Sequence, residues 1–528
     1  DPGRAERRDP ALDGGDPVTA TRPETPGTLA SLLGAVGGAA CRDEGNAVTV
    51  EVPAARLETA VHHLAATGAR LADLFASDGD RVTLRLVWAL DAERQYLITE
   101  TGIAGGEYPP LSDIAPAAFT EECEIYEQFG IRPATGKPLN RVALPPHAGP
   151  GFPRLGHQPP RPPAEVHAPH TVGGQAFEFP FGPVRQAGVE SLYYGLVTSG
   201  EEVVDLYLFT WHKHRGLEWR LRGRTPADAL FHVERTEGLS AIGVSWSFAA
   251  AVEAALGASP PPAAERTRAV ALELERLYNH AAAIAALCQS TGLSVGQSAA
   301  EIALERLLRL CAAAFGHRYL FGVMAVGGVR RAPDAAALRR GLPGAYGELR
   351  RAADALLATN SFMDRLEAAG IVTGEQARRL GLVGPVARAA GVGIDTRLDQ
   401  PPAPYAGHLP VLAVRGRGDV LARFQVMLDE AAESARLITD LLAEGTGAGT
   451  VPLPPGGGRG LGWAESSRGE ALSWVALDDS GRITRARLRP ASVRNWRGFD
   501  DACRSQNVFT DIPIIEASFW LTVAGTAR

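Results

Sequence analysis

One proline-dense stretch constrains how this chain can fold more than any other feature. Residues 145–169 read PPHAGPGFPRLGHQPPRPPAEVHAP, and neither a helix interior nor a central strand can pass through them, because proline lacks the backbone N–H that both structures use. The chain has 528 residues, which is more than one ordinary hydrophobic core accommodates. We therefore predict two folded domains, 28–145 and 171–528, joined by a proline-rich linker at 146–170 and preceded by a disordered tail at 1–27.

The first domain has the sequence patterns of a small mixed fold. AVTVEVP, RVTLRLVWALD and QYLITETG are typical of strands, whereas ARLETAVHHLAATGA has the spacing of an amphipathic helix. The segment TEECEIYEQFGIRP predicts an acidic helix that ends at a glycine. This order of elements predicts a sheet with helices on one face.

The second domain is predicted to be mainly helical, with strands at its periphery. Short strands in QAFEFPFGPV and EEVVDLYLFTWH come first, and amphipathic helices follow, of which AAERTRAVALELERLYNHAAAIAALCQS is the clearest. Helical spacing resumes at 297–316, 334–359 and 419–445. A Gly/Pro loop, GTGAGTVPLPPGGGRG, precedes a β-rich closing segment, ALSWVALDDSGRITRARLRP. The predicted fold class is α+β, with a small mixed α/β N-terminal domain and a larger, mainly α-helical domain.

Composition argues against several functions. The net charge of −7 and the isoelectric point near 6.0 are unlike those of a nucleic-acid-binding protein, whose affinity comes from clustered Lys and Arg. No run reaches the roughly 18 apolar residues that a membrane helix needs. The five cysteines are too far apart for a CxxC-type zinc or iron–sulfur motif, and their sparse, odd number fits a reducing compartment. We expect a cytoplasmic protein with protein or small-molecule partners and no nucleic acid.

Arginines and carboxylates recur together in several segments. WHKHRGLEWRLRG contains His214 and Glu218, and VGPVARAAGVGIDTRLDQP contains Arg388, Asp395 and Arg397. Such pairs often lock two elements together away from water, so a structural role is the more common one on residue type alone. A histidine whose ordinary pKa of about 6.5 lies near working pH is also suited to relay protons. Both interpretations stay open for these residues.

The segment ERTEGLSAIGVSW raises a further question. It places the carboxylate Glu237 directly before an apolar stretch that predicts a buried helix. A charged group at the edge of a core-facing helix is either a fixed structural anion or a group that takes part in chemistry. Burial raises the pKa of a carboxyl and a neighbouring arginine such as Arg235 lowers it, so the sequence leaves both roles open.

These motifs resemble those of two related families. EECEIYEQFGIRPATGKPLNRVALPP is similar to the signature of the small hydrophilic subunit of respiratory complex I. The ordered segments FPFGP, HRGLE, ELERLYNH, GGVRR, VGPVARAAGVGIDTR, GDVLARF and AESSRGE resemble the large subunit that complex I shares with membrane-bound [NiFe] hydrogenases. The whole chain resembles the fused large subunits of formate hydrogenlyase and hydrogenase-4, which join both modules. The resemblance covers roughly four-fifths of the chain.

The resemblance implies that the nickel–iron centre is missing. Where the hydrogenases carry two pairs of metal-binding cysteines, this chain aligns Glu237 and Ser240 in one pair and Leu521 and Ala524 in the other. Such a centre is held by soft thiolates, and leucine and alanine cannot coordinate a metal. We therefore predict no metal site.

The resemblance also implies that the familiar quinone ligands are missing. Glu237 takes the position of an aspartate in complex I, but the quinone-binding tyrosine is replaced by Gly238 and the quinone-side histidine by Arg185. The cavity between Arg235, Glu237 and Glu218 would be the former metal site, reused as a polar or redox-substrate pocket.

The function that the resemblance implies is that of a subunit in a membrane-associated, complex-I-like or hydrogenase-4-like oxidoreductase. Such a subunit takes part in electron transfer coupled to proton movement and would lie on the cytoplasmic side, peripheral to the membrane. No cofactor is expected on this chain, a quinone in a pocket stays open, and iron–sulfur clusters are expected on a partner subunit beside membrane proton-translocating subunits. Two alternatives remain. One is a non-catalytic scaffold of such a complex, and the other is a protein that carries the name of a formate hydrogenlyase large subunit because of its homology.

The residues that we assign to a site fall into two groups. The candidates for the pocket and its proton relay are Glu237, Glu218, His214 and Arg235. The candidates for a cofactor pocket or an interface are Arg185, Ser240, Arg388, Asp395 and Arg397.

Overall fold

A computed structural model describes most of the chain beyond its first 26 residues. The described residues are 27–37, 40–145, 148, 154–156, 176–185, 190–504 and 507–528. The predicted tail and most of the predicted linker lie outside them, so the domain boundaries stay a prediction. We refer to residues 27–156 as the N-terminal module and to residues 176–528 as the C-terminal module.

The N-terminal module has the mixed composition that its sequence predicts. Its elements are α1 (Thr28–Val36), β1 (Cys41–Asp43), β2 (Ala47–Glu51), α2 (Leu57–Ala66), β3 (Arg70–Ser77), β4 (Val82–Leu90), β5 (Gln95–Ile103), β6 (Glu107–Tyr108), α3 (Phe119–Phe129) and β7 (Arg132–Pro133). Strands β1 to β5 form one sheet in the order β1-β2-β5-β4-β3, in which only the β2–β5 pair is parallel. The acidic helix α3 ends at Gly130, which has φ of 74°, a conformation that glycine adopts without strain.

Both faces of this sheet are buried, and strand alternation assigns each residue to one face. In β4, Leu86 and Trp88 pack against the helices of the module. Their neighbours Val87 and Ala89 point to the opposite face and contact the C-terminal module. Successive side chains of a strand point to opposite faces, so the apolar run at 86–90 is what a strand covered on both sides requires.

The C-terminal module is mainly helical, as predicted. Its first elements are β8 (Ala176–Phe181), β9 (Tyr193–Ser199), β10 (Glu202–Phe209), α4 (Leu217–Leu221), α5 (Pro226–Val233), α6 (Ala241–Leu256), α7 (Pro262–Ser290), α8 (Ser294–Phe315), β11 (Met324–Ala325), β12 (Gly328–Val329) and α9 (Ala335–Leu357). The remaining elements are α10 (Asn360–Leu366), α11 (Gly374–Arg379), α12 (Gly384–Ala389), α13 (Thr396–Asp399), α14 (Val420–Ala443), β13 (Gly449–Thr450), β14 (Gly458–Ser466), β15 (Gly469–Leu477), β16 (Ile483–Arg489), α15 (Ala491–Cys503) and α16 (Ile512–Phe519).

Helix α7 lies at the centre of this module. It packs against α6, α8, α14 and α16, and most of its residues from Thr267 to Cys288 are buried. The buried residues include charged ones, such as Glu273, Glu275 and Arg276. A helix buried on all sides must satisfy such groups inside the protein, and this need builds the polar networks of the site.

The end of the chain differs from the prediction. The Gly/Pro loop does not run up to the closing strands, because β14 begins at Gly458 and pairs with β15 over its whole length. The β-rich segment also does not close the chain, since α15 and α16 follow it. Glycine-rich sequence concealed β14: Gly460 and Gly462 lie against the backbone of α6, where an added Cβ would collide with Ala251 O and Ser247 O.

The two modules share a hydrophobic contact. Phe75, Tyr96 and Ile98 of the N-terminal sheet pack on Leu472 and Trp474 of β15. Buried ion pairs surround this contact, with Arg487 Nη2 at 2.9 Å from Asp73 Oδ1 and Arg70 Nη1 at 2.6 Å from Glu470 Oε2. Among the described helices, none is long and apolar enough to cross a membrane.

Candidate functional site

Glu237 lies in a buried polar centre where four segments of the C-terminal module meet. Its side chain is 2% exposed, and its Oε1 accepts a hydrogen bond of 2.5 Å from the hydroxyl of Thr522. Its Oε2 lies 3.7 Å from Arg468 Nη1. The same guanidinium donates through Nη1 to Ser240 Oγ, 2.5 Å away, and through Nε to the carbonyl of Trp520.

The backbone around Glu237 is fixed by a second arginine. Arg215 donates to the carbonyls of Thr236 (2.7 Å) and Ala524. It therefore ties the turn before α6 to the C-terminal turn that follows α16. The two turns that contain the positions aligned with the cysteine pairs of hydrogenases are thus held together.

A further carboxyl, Glu275 of α7, lies beside the start of α6. It accepts backbone N–H bonds from Ile242 (2.7 Å) and Gly243 (2.9 Å), which are among the free donors at a helix N-terminus. Complete burial raises its pKa, and the two N–H donors and Arg468 lower it, so that the pKa settles at about 7. We name Glu237, Ser240, Glu275, Arg468 and Thr522 the central polar cluster.

The sequence predicted that Glu218, Arg235 and Glu237 surround one cavity. In the structure, Glu218 and Arg235 instead have partners of their own. Glu218 forms its own network, with Arg485 Nη1 at 2.7 Å and Arg528 Nε at 3.0 Å. Burial raises the pKa of Glu218, but the surrounding arginines outweigh burial and lower it to about 2. Arg235 is 41% exposed and instead pairs with Glu234 at 2.5 Å. An arginine directly preceding a turn is free to point away from it, and sequence order alone does not reveal this.

His214 is half-buried in the loop before α4. Its neighbour Arg215 donates to the carbonyl of Thr236, the residue before Glu237 of the central polar cluster. The predicted proton-relay role of His214 stays a prediction.

Arg185 also lies apart from the central polar cluster. It forms a bidentate pair with Glu516 of α16, with Nη1 and Nη2 at 2.8 and 2.9 Å from the two carboxylate oxygens. Its guanidinium lies over the ring of Tyr194, 5.3 Å from the centroid. These contacts fix the turn after β8 onto α16, which is the locking role that bidentate arginine pairs commonly have.

Arg388, Asp395 and Arg397 belong to a buried ionic network beside α7. Arg388 Nη1 lies 2.9 Å from Glu465 Oε1, and Arg388 Nη2 lies 2.8 Å from Glu430 Oε1. Arg397 pairs with Asp395 at 2.7 Å. The residues of this network are Glu273, Arg276, His280, Arg388, Asp395, Arg397, Glu430 and Glu465, all at most 3% exposed.

The buried ionic network adjoins the central polar cluster through one strand turn. Arg276 donates to the carbonyls of Glu465 (2.6 Å) and Ser466 (3.0 Å), and Ser466 lies two residues before Arg468. Burial raises the pKa of Glu273, but Arg397 and Arg276 outweigh burial and lower it to about 2. Glu273 therefore holds a fixed charge, whereas Glu275, with a pKa of about 7, titrates near neutral pH.

The residues at the centre do not fit a nickel–iron site held by four thiolates. Leu521 and Ala524 offer no ligand atom, and Glu237 and Ser240 are hard oxygen donors that such soft centres do not use. The described cysteines lie elsewhere, and burial raises the pKa of Cys123 and Cys288 to about 12, which keeps them as thiols. Among the described residues, no group of three or more His, Cys, Asp or Glu is arranged to hold a metal ion.

Comparison with known proteins agrees with the predicted resemblance to the large subunit that complex I shares with membrane-bound hydrogenases. Residues 300–452 match the family described as respiratory-chain NADH dehydrogenase, 49 Kd subunit. The match covers the stretch from α8 to β13, and therefore includes Arg388, Asp395 and Arg397 of the buried ionic network. The predicted resemblance to this class of proteins is confirmed.

Individual relatives span more of the chain. Formate hydrogenlyase subunit 5 from Escherichia coli (strain K12) is 28% identical over 435 residues, which cover 78% of this chain and 75% of that protein. Hydrogenase-4 component G from the same strain is 26% identical and covers 78% of this chain and 74% of its own length. NADH-quinone oxidoreductase subunit 4 from Thermus thermophilus is 27% identical, with 60% of this chain and 86% of that protein covered.

A solved structure confirms the fold class. A chain of the membrane-bound sulfane sulfur reductase, an archaeal respiratory membrane complex, superposes with a TM-score of 0.63 at 23% identity. The superposition covers 68% of this chain and 100% of the archaeal chain. The α+β fold that the sequence predicts is therefore that of a known component of a respiratory complex.

Three members of the central polar cluster, Glu275, Arg468 and Thr522, are not among the site residues predicted from the sequence. Thr522 follows Leu521 directly, but a lone threonine near a chain end carries no sequence signal. Glu275 offered one, because it falls on the apolar face of an otherwise core-facing helix, between Leu274 and Leu277, where a charge needs a buried partner.

Proposed function

We propose that this chain is a subunit of a membrane-associated oxidoreductase of the complex-I-like or hydrogenase-4-like type. In this function it takes part in electron transfer coupled to proton movement and holds no nickel–iron centre of its own. The observation that carries the proposal is the central polar cluster, in which Glu237 and Ser240 take positions that the resemblance aligns with metal-binding cysteines and supply oxygen groups instead of thiolates. The names of the relatives, which include components of formate hydrogenlyase and NADH-quinone oxidoreductase, support the same class.

The residues of the cluster are suited to hold and move a proton in a buried environment. The Thr522 hydroxyl and the Arg468 guanidinium orient the carboxylate of Glu237. Glu275, whose pKa is about 7, changes protonation near working pH, which is the property of a group that exchanges protons. Ser240, between the two carboxyls in sequence, is held by Arg468. A change of charge on a redox partner beside the cluster would then be balanced by a proton on one of the carboxyls.

The proposed complex supplies what this chain lacks. Iron–sulfur clusters on a partner subunit would bring electrons, and membrane subunits would move protons across the bilayer. This chain would be peripheral to the membrane, on its cytoplasmic side, and a quinone or another acceptor would approach the central polar cluster from the partner side. The low, odd cysteine content supports a reducing compartment.

A non-catalytic scaffold is the second candidate. The observation that favours it is the complete burial of Glu237, whose contacts with Thr522 and Arg468 are all internal. In this case the polar centre would only hold four segments together. The two candidates predict different results for the same variant.

The decisive variant is Glu237→Gln in the purified, assembled complex. It keeps the shape of the side chain but removes its charge and its ability to hold a transferable proton. Turnover should fall by about a hundredfold or more, because positioned proton transfer commonly contributes that much. Thr522→Val, which removes only the orienting hydroxyl, should give a smaller loss. Turnover would be measured as electron transfer from reduced methyl viologen to a soluble quinone analogue.

The matched control is Glu253→Gln. Glu253 is another buried carboxylate, which lies at the far end of α6 and is paired with Arg268 at 2.6 Å. Its substitution by glutamine should leave the turnover of the assembled complex unchanged. Unchanged turnover in assembled Glu237→Gln complex would contradict the catalytic proposal and establish the scaffold. Elemental analysis offers an independent test, since nickel bound stoichiometrically to this subunit would refute the roles proposed for Glu237 and Ser240.

A further inference from the structure

A polar cavity lies between the two modules, and no residue of the central polar cluster lines it. Its volume is about 670 Å³, within the range of roughly 300–1,000 Å³ that is typical of small-molecule sites. The turn between β3 and β4 forms one wall, and β14 with the β15–β16 turn forms the other. Five arginines line it, namely Arg81, Arg85, Arg222, Arg459 and Arg485.

The most buried of these arginines lacks a full set of partners. Arg85 is 5% exposed, donates through Nη1 to Ser77, and lies with Nη2 at 3.2 Å from Glu100. Its guanidinium covers the ring of Trp474, 4.7 Å from the centroid. Its Nε has no hydrogen-bond acceptor among the described residues. A buried donor left unpaired is costly, and an acceptor from a ligand would satisfy it.

The surroundings of Arg85 carry more positive than negative charge. Glu100 is shared by three guanidiniums, those of Arg42, Arg85 and Arg459. The nearest additional carboxylate, Glu44, lies 3.7 Å from Arg459. Burial lowers the pKa of Arg85 to about 9, and the neighbouring arginines contribute to this decrease. Two carboxylates thus face three guanidiniums in this corner.

A second unpaired donor comes from the opposite side. Arg222, 29% exposed, lies 3.7 Å from Asp78 and donates through Nη2 to the carbonyl of Leu155, while its Nε is buried without an acceptor among the described residues. Asp80 and Asp479 also line the cavity, so negative charge is present at its rim. The unpaired donors nevertheless both belong to arginines.

We propose that this cavity binds a phosphate-bearing anion, with Arg85 and Arg222 as its principal donors. Phosphate is the group that fits several guanidiniums at once, because its oxygens accept paired N–H bonds from the planar arginine fork. The cavity is larger than a phosphate alone, which leaves room for the group to which the phosphate is esterified. The ligand is either a soluble phosphate ester or the headgroup of a phospholipid, and the proposal does not depend on the function proposed for the central polar cluster.

The test uses the full-length protein and three probes. Inorganic pyrophosphate and ADP would be titrated by calorimetry at low salt, and vesicles containing phosphatidic acid would be tested by sedimentation. We expect at least one probe to bind, and Arg222→Gln to weaken that binding by about tenfold or more, as expected for the loss of a charge-assisted hydrogen bond. Binding of the soluble probes identifies a phosphate ester, and binding of vesicles alone identifies a lipid headgroup.

Two further variants keep the test sharp. Arg85→Gln should also weaken binding, and Arg222→Gln remains informative if Arg85→Gln fails to fold, because Arg222 is partly exposed. The matched control is Arg350→Gln, which removes a 60% exposed arginine paired with Asp354 on α9 and should bind like the wild type. The proposal is overturned if no probe binds the wild-type protein, or if Arg222→Gln binds as tightly as Arg350→Gln.

Discussion

Replacing Glu275 by glutamine is expected to change how stability depends on pH. The carboxyl of Glu275 has a pKa of about 7 in the folded protein against an ordinary value of 4.5. The folded state therefore holds the proton more tightly than the unfolded state between these two values. The free energy of unfolding contributed by this group is fully present below about pH 4.5 and is lost as the pH rises towards 7. Glutamine does not titrate, so the variant lacks this loss.

The size of the effect follows from the difference between the two pKa values. The Glu275 carboxyl titrates near pH 7 in the folded protein and near pH 4.5 in the unfolded protein. Its contribution to the free energy of unfolding therefore falls by roughly 3 kcal/mol across that interval. If the about 350 residues of the C-terminal module unfold together, this corresponds to a change of about 4 °C in the unfolding midpoint. The quantity to measure is the midpoint of the wild type minus that of Glu275→Gln, by differential scanning fluorimetry from about pH 4.5 to about pH 8. Other titrating groups occur in both proteins and cancel in this difference.

Glu273→Gln provides the matched control, two residues away on the same helix. Glu273 is equally buried, but its pKa is lowered to about 2. Its contribution to the free energy of unfolding is therefore lost only when the pH falls below its ordinary pKa of 4.5. Its variant should be less stable by an amount that stays constant between about pH 5 and about pH 8. A difference for Glu275→Gln that is also constant over this range would refute the assignment of a near-neutral pKa to Glu275.

Two other substitutions test the contacts that hold the site in place. Arg388→Met should lower the free energy of unfolding by about 3–5 kcal/mol, because it leaves Glu430 and Glu465 buried without their shared cation; thermal unfolding measures this, and a loss below about 1 kcal/mol would contradict it. Arg487→Met should loosen the contact between the modules, because Arg487 reaches Asp73 across it; limited proteolysis should then release the N-terminal module faster than in the wild type, and equal rates would show that the apolar contact alone holds the modules together.

The elements that sequence predicted well are those with a strong internal period. Helix α7 and strand β4 follow the spacing of their buried residues, so both were predicted close to their observed positions. Strand β14 was missed because it carries glycines where α6 packs closely against it, and this close packing depends on a segment that is distant in sequence.

Distance in sequence also explains why the site was only partly predicted. Glu237 was recognised from its position beside an apolar helix, whereas Thr522, 285 residues away in sequence, becomes its partner only through the fold.

The direction in which a side chain points was also beyond the sequence. Arg235 and Glu237 are two residues apart, yet Arg235 turns towards Glu234 and the ring of Phe231, 3.8 Å from its centroid. Arg468, more than 200 residues later, supplies the guanidinium beside Glu237 instead. Residue types at one place in a sequence thus indicated a polar site, but the choice of partners required the tertiary structure.

The contact between the modules has a consequence for assembly. Phe75 and Trp474 belong to one polypeptide, so their packing is an intramolecular event with an effective concentration set by the connecting chain. Dilution therefore cannot separate the two modules, as it would separate two subunits joined by the same surface. Covalent connection also fixes their ratio at one to one when they are synthesised. A larger complex built around this chain would thus acquire both modules in a single incorporation step.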